Sequence, residues 1–206
     1  MRPKPKITLL WFQFFCIGTI LAQTSYKSKF LVDTTMKDTF AFTKHWAYPE
    51  GIWKDESGFH NLTAEKIMPK DTIHIYFTAD CKDKAWPEDS IGYCYATKKA
   101  GTIKLRFEGE LPGYFVEHAV YIKGDSFYVK PSFSYEFSTK GEQMTYPIQQ
   151  QLLTLNKKRY HLGDTIIGYM SCSFVENWSF PGYKTKKTKM FFKGYFCTPL
   201  KQEEGL

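Results

Sequence analysis

The sequence predicts an all-β protein, a single antiparallel β-sandwich of jelly-roll or immunoglobulin-like kind, and three observations predict it. Apolar and polar residues alternate along most of the chain, which is the period of a half-buried strand and not of a helix. Turn residues recur between the alternating runs, at Gly101, Leu111-Pro112-Gly113, Gly124-Asp125, Gly141 and Gly163-Asp164. Aromatic residues make up 18% of the chain and β-branched residues are frequent, and both kinds pack well on a pleated surface.

Taken in order, Ile73, Ile75, Phe77 and Ala79 oppose His74, Tyr76, Thr78 and Asp80 in the first clear strand. Strands follow at 91–97 and at 102–108, where Ile103, Leu105 and Phe107 oppose Lys104, Arg106 and Glu108. The strand at 114–123 puts Tyr114, Val116, His118, Val120 and Ile122 on one face, so His118 reads as a packed core residue. Further strands are expected at 126–130, at 132–138 (with Phe133, Tyr135 and Phe137 on one face), at 165–175 and at 189–197. Only Asn61–Met68 suggests a helix, capped by Asn61 and stopped by Pro69. The lysine-rich stretch Gly182–Lys189 reads as a solvated hairpin, with Tyr183 its only base-stacking aromatic.

The first residues set basic Arg2, Lys4 and Lys6 before an uncharged apolar run from Ile7 to Ala22, the layout of a signal peptide. The run is shorter than the ~20 apolar residues a spanning helix needs. Cys16 is not read as a lipid-attachment site, because Phe14 and Phe15 precede it where a small residue is required. Residues 1–22 are therefore expected to be removed, leaving 23–206 as one all-β domain, secreted or periplasmic, with no membrane span. Removing three cations and no anions takes the formal charge from +7 to +4, a balance that implies no polyanionic partner and no nucleic acid.

Four cysteines remain, Cys81, Cys94, Cys172 and Cys197. An even number in an exported chain predicts two disulfides, with Cys81–Cys94 and Cys172–Cys197 favoured because each pair falls on neighbouring strands. Each such bridge stabilises by about 3 kcal/mol in the chain-entropy model. The alternative is a set of buried free thiols. No Cys-x-x-Cys or His-Glu-x-x-His spacing occurs, so neither a metal nor a cofactor is expected.

Hydrolytic motifs are missing too: there is no Gly-x-Ser-x-Gly elbow and no glycine-rich phosphate loop. A glycoside-acting hydrolase would draw two carboxylates from separate strands, here Glu117 or Glu136 with Asp55 or Glu56. Asp80, Asp83, Glu88 and Asp89 form an acidic group read as solvent-exposed, since Lys82 and Lys84 offset it and no calcium-loop signature appears.

The most unusual stretch is His45–His60, where Trp46, Tyr48 and Trp53 accompany Asp55 and Glu56 in a proline- and glycine-punctuated loop. These five residues suit a stacking platform for a sugar ring or another flat ligand, and the competing reading makes the tryptophans a plug at the end of the sandwich. Within it, Gly51-Ile52-Trp53 resembles the Gly-x-Trp near the N-terminus of lipocalins, small exported barrels that hold apolar ligands in their lumen. The resemblance covers three residues and implies, as an alternative fold, a closed lipocalin-like barrel. Asn61-Leu62-Thr63 and Asn177-Trp178-Ser179 match the acceptor pattern for N-glycans. The reading that results is an exported, non-enzymatic binding or interaction module that uses loop 45–60. Its partner is a carbohydrate, a small apolar ligand or another protein, and the alternatives are a glycoside-acting hydrolase or a lipocalin-like carrier. Intact-mass measurement of the exported protein tests the leader: the expected chain begins at Gln23, and a mass that retains residues 1–22 contradicts it.

Overall fold

The structure is a computed structural model and describes residues 28–49, 51–62, 66–84, 91–111, 114–135 and 141–203. The expected leader, Cys16, Glu88, Asp89, Glu136 and Phe137 lie outside the described residues. The chain is nearly all strand. It opens with β1 (Ser28–Lys29) and β2 (Leu31–Val32) and continues into a strap of short elements. The strap holds a 3-10 turn at Ala41–Lys44, β3 (Trp46–Ala47), the hairpin β4 (Ile52–Asp55) and β5 (Gly58–Asn61), a 3-10 turn at Pro69–Thr72, and β6 (Ile75–Tyr76). The wall comes next, from β7 (Ala79–Asp83), β8 (Tyr93–Lys99), β9 (Thr102–Leu111) and β10 (Tyr114–Lys123) to β11 (Ser126–Tyr135). It is completed by β12 (Gln143–Thr145), β13 (Ile148–Leu155), β14 (Thr165–Ser179) and β15 (Lys186–Gln202).

One sheet runs β1-β11-β10-β9-β8-β15-β14-β13-β2, with β12 added to β14 and β7 to β15. Its two end strands are consecutive pieces of one segment, separated by Phe30 alone. Ser28 and Lys29 pair with β11 while Leu31 and Val32 pair with β13, so this segment spans the seam and the sheet is nearly closed into a barrel. The Gln151 side chain fastens the same seam, donating to Ser28 Oγ at 2.8 Å and accepting from Val129 N–H at 3.0 Å. Of the two expected all-β architectures, this sheet order describes the barrel. It is mixed and not wholly antiparallel, because the closing pairs β13–β2 and β15–β8 run parallel.

Alternation fills the interior. Leu105, Phe107, Val120, Phe127, Leu153, Leu155, Phe192 and Phe196 all point inward and have no exposed surface. Phe107 meets Phe192 and Phe196 edge to face, at 5.0 and 5.2 Å between ring centres. Gly194 permits a further close approach: a Cβ there would run into the Asp80 carbonyl and the Cys81 Cα of β7.

Several expectations need correction. The strand foreseen at 73–80 is divided: β6 belongs to the strap, and the buried alternation is Ala79, Cys81 and Asp83 in β7. Ile73 and Ile75 lie outside the barrel and are exposed. The strands foreseen at 126–130 and 132–138 are one strand, β11, which runs through Pro131. No helix forms at 61–68 among its described residues, because Asn61 pairs with Ile52 in the β4–β5 hairpin and Leu62 N–H donates to Gly51 O. Asp83 is not solvent-exposed: the inward phase of β7 buries it, 2% accessible, against His118.

The two disulfides are absent, and Cys81, Cys94, Cys172 and Cys197 are free and buried. Cys172 stands opposite Phe192 and Cys197 opposite Ile167, so these two cysteines are five residues out of register on β14 and β15. At ~3.4 Å per residue that offset far exceeds the ~7 Å Cα separation a disulfide tolerates. Cys81 pairs with Ile91, three residues short of Cys94. Burial pushes the thiols of Cys172 and Cys197 up to about 12 and those of Cys81 and Cys94 well above their ordinary value. These four thiols are therefore expected to ignore a disulfide-exchange reagent at pH 8 until the chain unfolds, and dithiothreitol should leave the thermal midpoint unchanged. A downward shift with reductant would restore the disulfides.

His118 is wholly buried between Phe133, Phe174 and Phe192, as its place in the β10 alternation predicted. Its Nε2 lies 3.6 Å from Asp83 Oδ2. Burial lowers its pKa below 6.5, opposed chiefly by Asp83 and then by Glu117. Below pH 6.5 the unfolded chain takes up a proton that the buried ring refuses, so stability present above that pH is lost as pH falls toward the folded pKa. The expected loss from this group reaches at most about 1.4 kcal/mol per pH unit. Urea titrations between pH 7.5 and 5 measure it, and His118→Gln should flatten the dependence.

Candidate functional site

The site begins with the way the strap leaves the barrel wall. β7 lies between β15 and the start of β8, with Phe192–Phe196 on one side and Ile91 and Gly92 on the other. Beyond Thr78, whose carbonyl accepts Cys197 N–H at 2.9 Å, β15 pairs directly with β8 through Leu200 and Ala96. No room remains in the wall for the chain that precedes Thr78, and it crosses the outer face. Phe77 N–H donates to His45 O at 3.0 Å, and Trp46 pairs with Tyr76, so both limbs of the strap are held together. Phe40 anchors the outgoing limb against Tyr195 of the wall, ring centres 5.2 Å apart.

Between strap and wall lies a cleft of about 570 Å³. The strap supplies Phe42, His45, Tyr48, Ile75 and Phe77, and the outer faces of β8, β9 and β10 supply Tyr93, Tyr95, Glu108 and Phe115. Ala79, Asp80 and two glycines, Gly92 and Gly109, complete it. The absent side chains matter, because a Cβ on Gly92 would press on the Phe77 ring at 3.1 Å. Phe77 meets Tyr93 edge to face at 5.5 Å, and Tyr93 is stacked with Tyr95 at 6.3 Å. The walls are thus aromatic, and carboxylates stand among them. Arg106 Nε holds Glu108 Oε1 at 2.6 Å, and its guanidinium lies over the Tyr95 ring at 5.4 Å. Burial raises the Glu108 pKa in spite of Arg106 and raises those of Tyr93 and Tyr95.

The five residues singled out in the sequence separate here. Tyr48 lines the cleft. Trp46 supports it from outside, edge-on to Tyr48 at 5.1 Å and stacked on His74 at 3.5 Å. Trp53, Asp55 and Glu56 are elsewhere, on the exposed β4–β5 hairpin, where Trp53 stacks on His60 at 5.5 Å. Asp55 accepts from the Ser57 hydroxyl at 2.6 Å and from Ser57 N–H at 2.8 Å, with His60 Nε2 at 2.9 Å. Those bonds, the Ser57 hydroxyl first, hold the Asp55 carboxyl down at about 2. Serine, histidine and aspartate meet here without forming a hydrolytic triad: Ser57 Oγ and Asp55 Oδ1 both contact Nε2, whereas proton relay uses the two opposite ring nitrogens.

Glu117 stands opposite Glu108 in register and is paired with Lys104 at 3.7 Å, but it does not line the cleft, nor does Asp55 or Glu56. The carboxylates that do share the cleft are Asp80 and Glu108. Sequence reasoning missed both as site residues, together with Tyr93, Tyr95 and Phe77. A signal was present: alternation puts Tyr93, Tyr95, Arg106 and Glu108 on the outer face of adjoining strands, and two rings of that size beside an ion pair are unusual for a face turned only to water.

Gly51-Ile52-Trp53 falls on the β4–β5 hairpin and not on a barrel strand, so its three-residue likeness to lipocalins has no counterpart in the wall. The cleft lies on the outer face of the wall, and the described inward side chains pack in the lumen. Among the described residues no three histidine, cysteine, aspartate or glutamate side chains gather as a metal site, and no helix is long and apolar enough to cross a membrane. No protein-family model, curated protein or solved structure matches this chain.

Proposed function

We propose that this protein is an exported, non-enzymatic binding module that holds a saccharide unit in the cleft between strap and barrel wall. The observation that carries the reading is an aromatic cleft of about 570 Å³ with carboxylates among its rings. Its volume is that of small-molecule sites, which span roughly 300–1,000 Å³. A pyranose ring has an apolar face, formed by axial C–H groups, and a rim of hydroxyls. Tyr48, Phe77, Tyr93 and Tyr95 offer flat faces for the first, and Asp80 and Glu108 offer acceptors for the second. Glu108 is already fixed by Arg106 at 2.6 Å, so its ordering does not have to be supplied by the ligand.

A second reading, glycoside hydrolysis, draws on the same two carboxylates. What favours it is that Asp80 and Glu108 share one cleft and that burial raises the Glu108 pKa, as a general acid requires. Binding without turnover is the first reading, and turnover is the second.

Calorimetric titration of a saccharide panel into the full chain tests both. Tyr48→Ala and Tyr95→Ala are each expected to weaken binding about tenfold or more, from the loss of a stacked ring. Trp53→Ala, on the neighbouring hairpin but outside the cleft lining, should bind as wild type. Loss of binding in Trp53→Ala with the two tyrosine variants unchanged would return the site to the 52–60 hairpin, and a folded protein that binds no saccharide ends the proposal. Release of reducing sugar in the same mixtures, abolished by Glu108→Gln, would replace binding by hydrolysis.

A further inference from the structure

We infer that the end of the β14–β15 hairpin is a docking element for an anionic lipid bilayer, separate from the saccharide cleft. β14 and β15 are the longest strands of the sheet, and at their shared end β12 flanks β14 through Gln143–Thr145, while the outer edge of β15 has no described strand beside it. β7 flanks β15 only from Phe192 to Phe196, so over residues 186–190 the described partner of β15 is β14. The connection contains a hydrogen-bonded turn, Phe180-Pro181-Gly182-Tyr183. Tyr183 N–H donates to Phe180 O at 3.0 Å, Pro181 takes the second position, and Gly182 takes the third with φ +85°. That left-handed φ is open to glycine at little cost and strained for other residues.

The turn brings together what the sequence spreads over nine positions. Phe180 and Tyr183 pack on one another, ring centres 5.6 Å apart, while Lys186 Nζ lies 5.8 Å above the Trp178 ring. Trp178, Phe180, Tyr183, Lys184 and Lys186 line an open cleft of about 410 Å³. Two of these rings are well exposed, Trp178 at 42% and Tyr183 at 75%. Lys187 and Lys189 lie one and three residues further along β15, both exposed. From Asn177 to Gln202 the chain carries six lysines and no acidic residue. Glu142 and Glu176 are the nearest carboxylates along the neighbouring strands, and neither lines the cleft.

Trp and Tyr rings are amphipathic and settle at the depth of lipid headgroups, while lysines on their flexible stems reach out to anionic phosphates. A preformed turn presents both without an ordering cost at the moment of contact. The net charge of the whole chain does not report this patch, because the Debye length is about 8 Å at physiological salt and only nearby cations act on a surface. Four lysines in six residues, 184 to 189, beside exposed rings at the hairpin end match a bilayer carrying negative headgroups better than a rod-like soluble polyanion, which has no interfacial layer for the rings to enter.

Co-sedimentation of the full chain with phosphatidylcholine vesicles, with and without phosphatidylglycerol, tests the inference at 50 and 500 mM salt. The protein is expected to pellet with the anionic vesicles at low salt only. Lys184→Gln with Lys186→Gln should weaken the partition about fivefold per lysine, and Tyr183→Ser should weaken it further, both with an unchanged thermal midpoint. These positions are exposed, and Tyr183 lies outside the strand ladder, so the midpoint separates lost docking from lost folding. No pelleting with anionic vesicles, equal pelleting with neutral ones, or variants that pellet as wild type would overturn it. Binding to dextran sulfate with no binding to vesicles would overturn it in favour of a soluble polyanion.

Discussion

The shared occupancy of β15 governs the molecule. This strand of 17 residues pairs with β14 along most of its length, and on its other edge it pairs first with β7 and then with β8. The change of partner falls at Cys197, whose N–H is taken by the Thr78 carbonyl. Closure of the sheet requires β8 to reach β15, and once it does, the chain before Thr78 has no place in the ladder. Its backbone groups find partners in short pairs of their own, β3 with β6 and β4 with β5. The strap, and the cleft beneath it, follow from where one strand exchanges neighbours.

Polar groups are placed with corresponding economy. The interior is apolar apart from a few residues, and His118 and Asp83 are the buried imidazole and acid among its described members. Their approach joins β10 to β7 across the barrel, a contact that an apolar pair would make without fixing which strand phases meet. Outside, Lys104, Arg106, Glu108 and Glu117 form ion pairs over β9 and β10, and the cation of Arg106 lies over Tyr95. The Arg106 pair, made within β9, leaves Glu108 held at the margin of an aromatic cleft, where burial and a fixed cation act on it together.

Much of the wall was legible from alternation, since β9, β10 and β14 begin where the pattern starts, β8 begins two residues later, and His118 lies where its phase places it. Less legible were elements whose partners are remote. Ile148–Leu155 forms β13 with the pattern of its middle blurred by Gln149, Gln150 and Gln151, and Gln151 proves to be the seam's fastening. The seam itself rests on four paired residues near the start of the described chain, too few to carry a period. The cysteine pairing failed for a related reason: adjacency of strands was read correctly for β14 and β15, but register decides whether two sulfurs meet, and a five-residue offset keeps them apart.

The sequence by itself determined that the chain is built of strands, which of their faces turn inward, and that residues 45–60 concentrate large aromatics. These are local properties, carried by side-chain period and composition along a few consecutive residues. Tertiary structure alone decided that the sheet curls nearly shut and that Tyr48 shares a cleft with Tyr93, Tyr95 and Glu108 while Trp53 and Asp55 do not. Those outcomes depend on pairing between residues tens of positions apart, and the free energy of such pairing is set by which partner is available when the sheet closes, a quantity no short window of sequence contains.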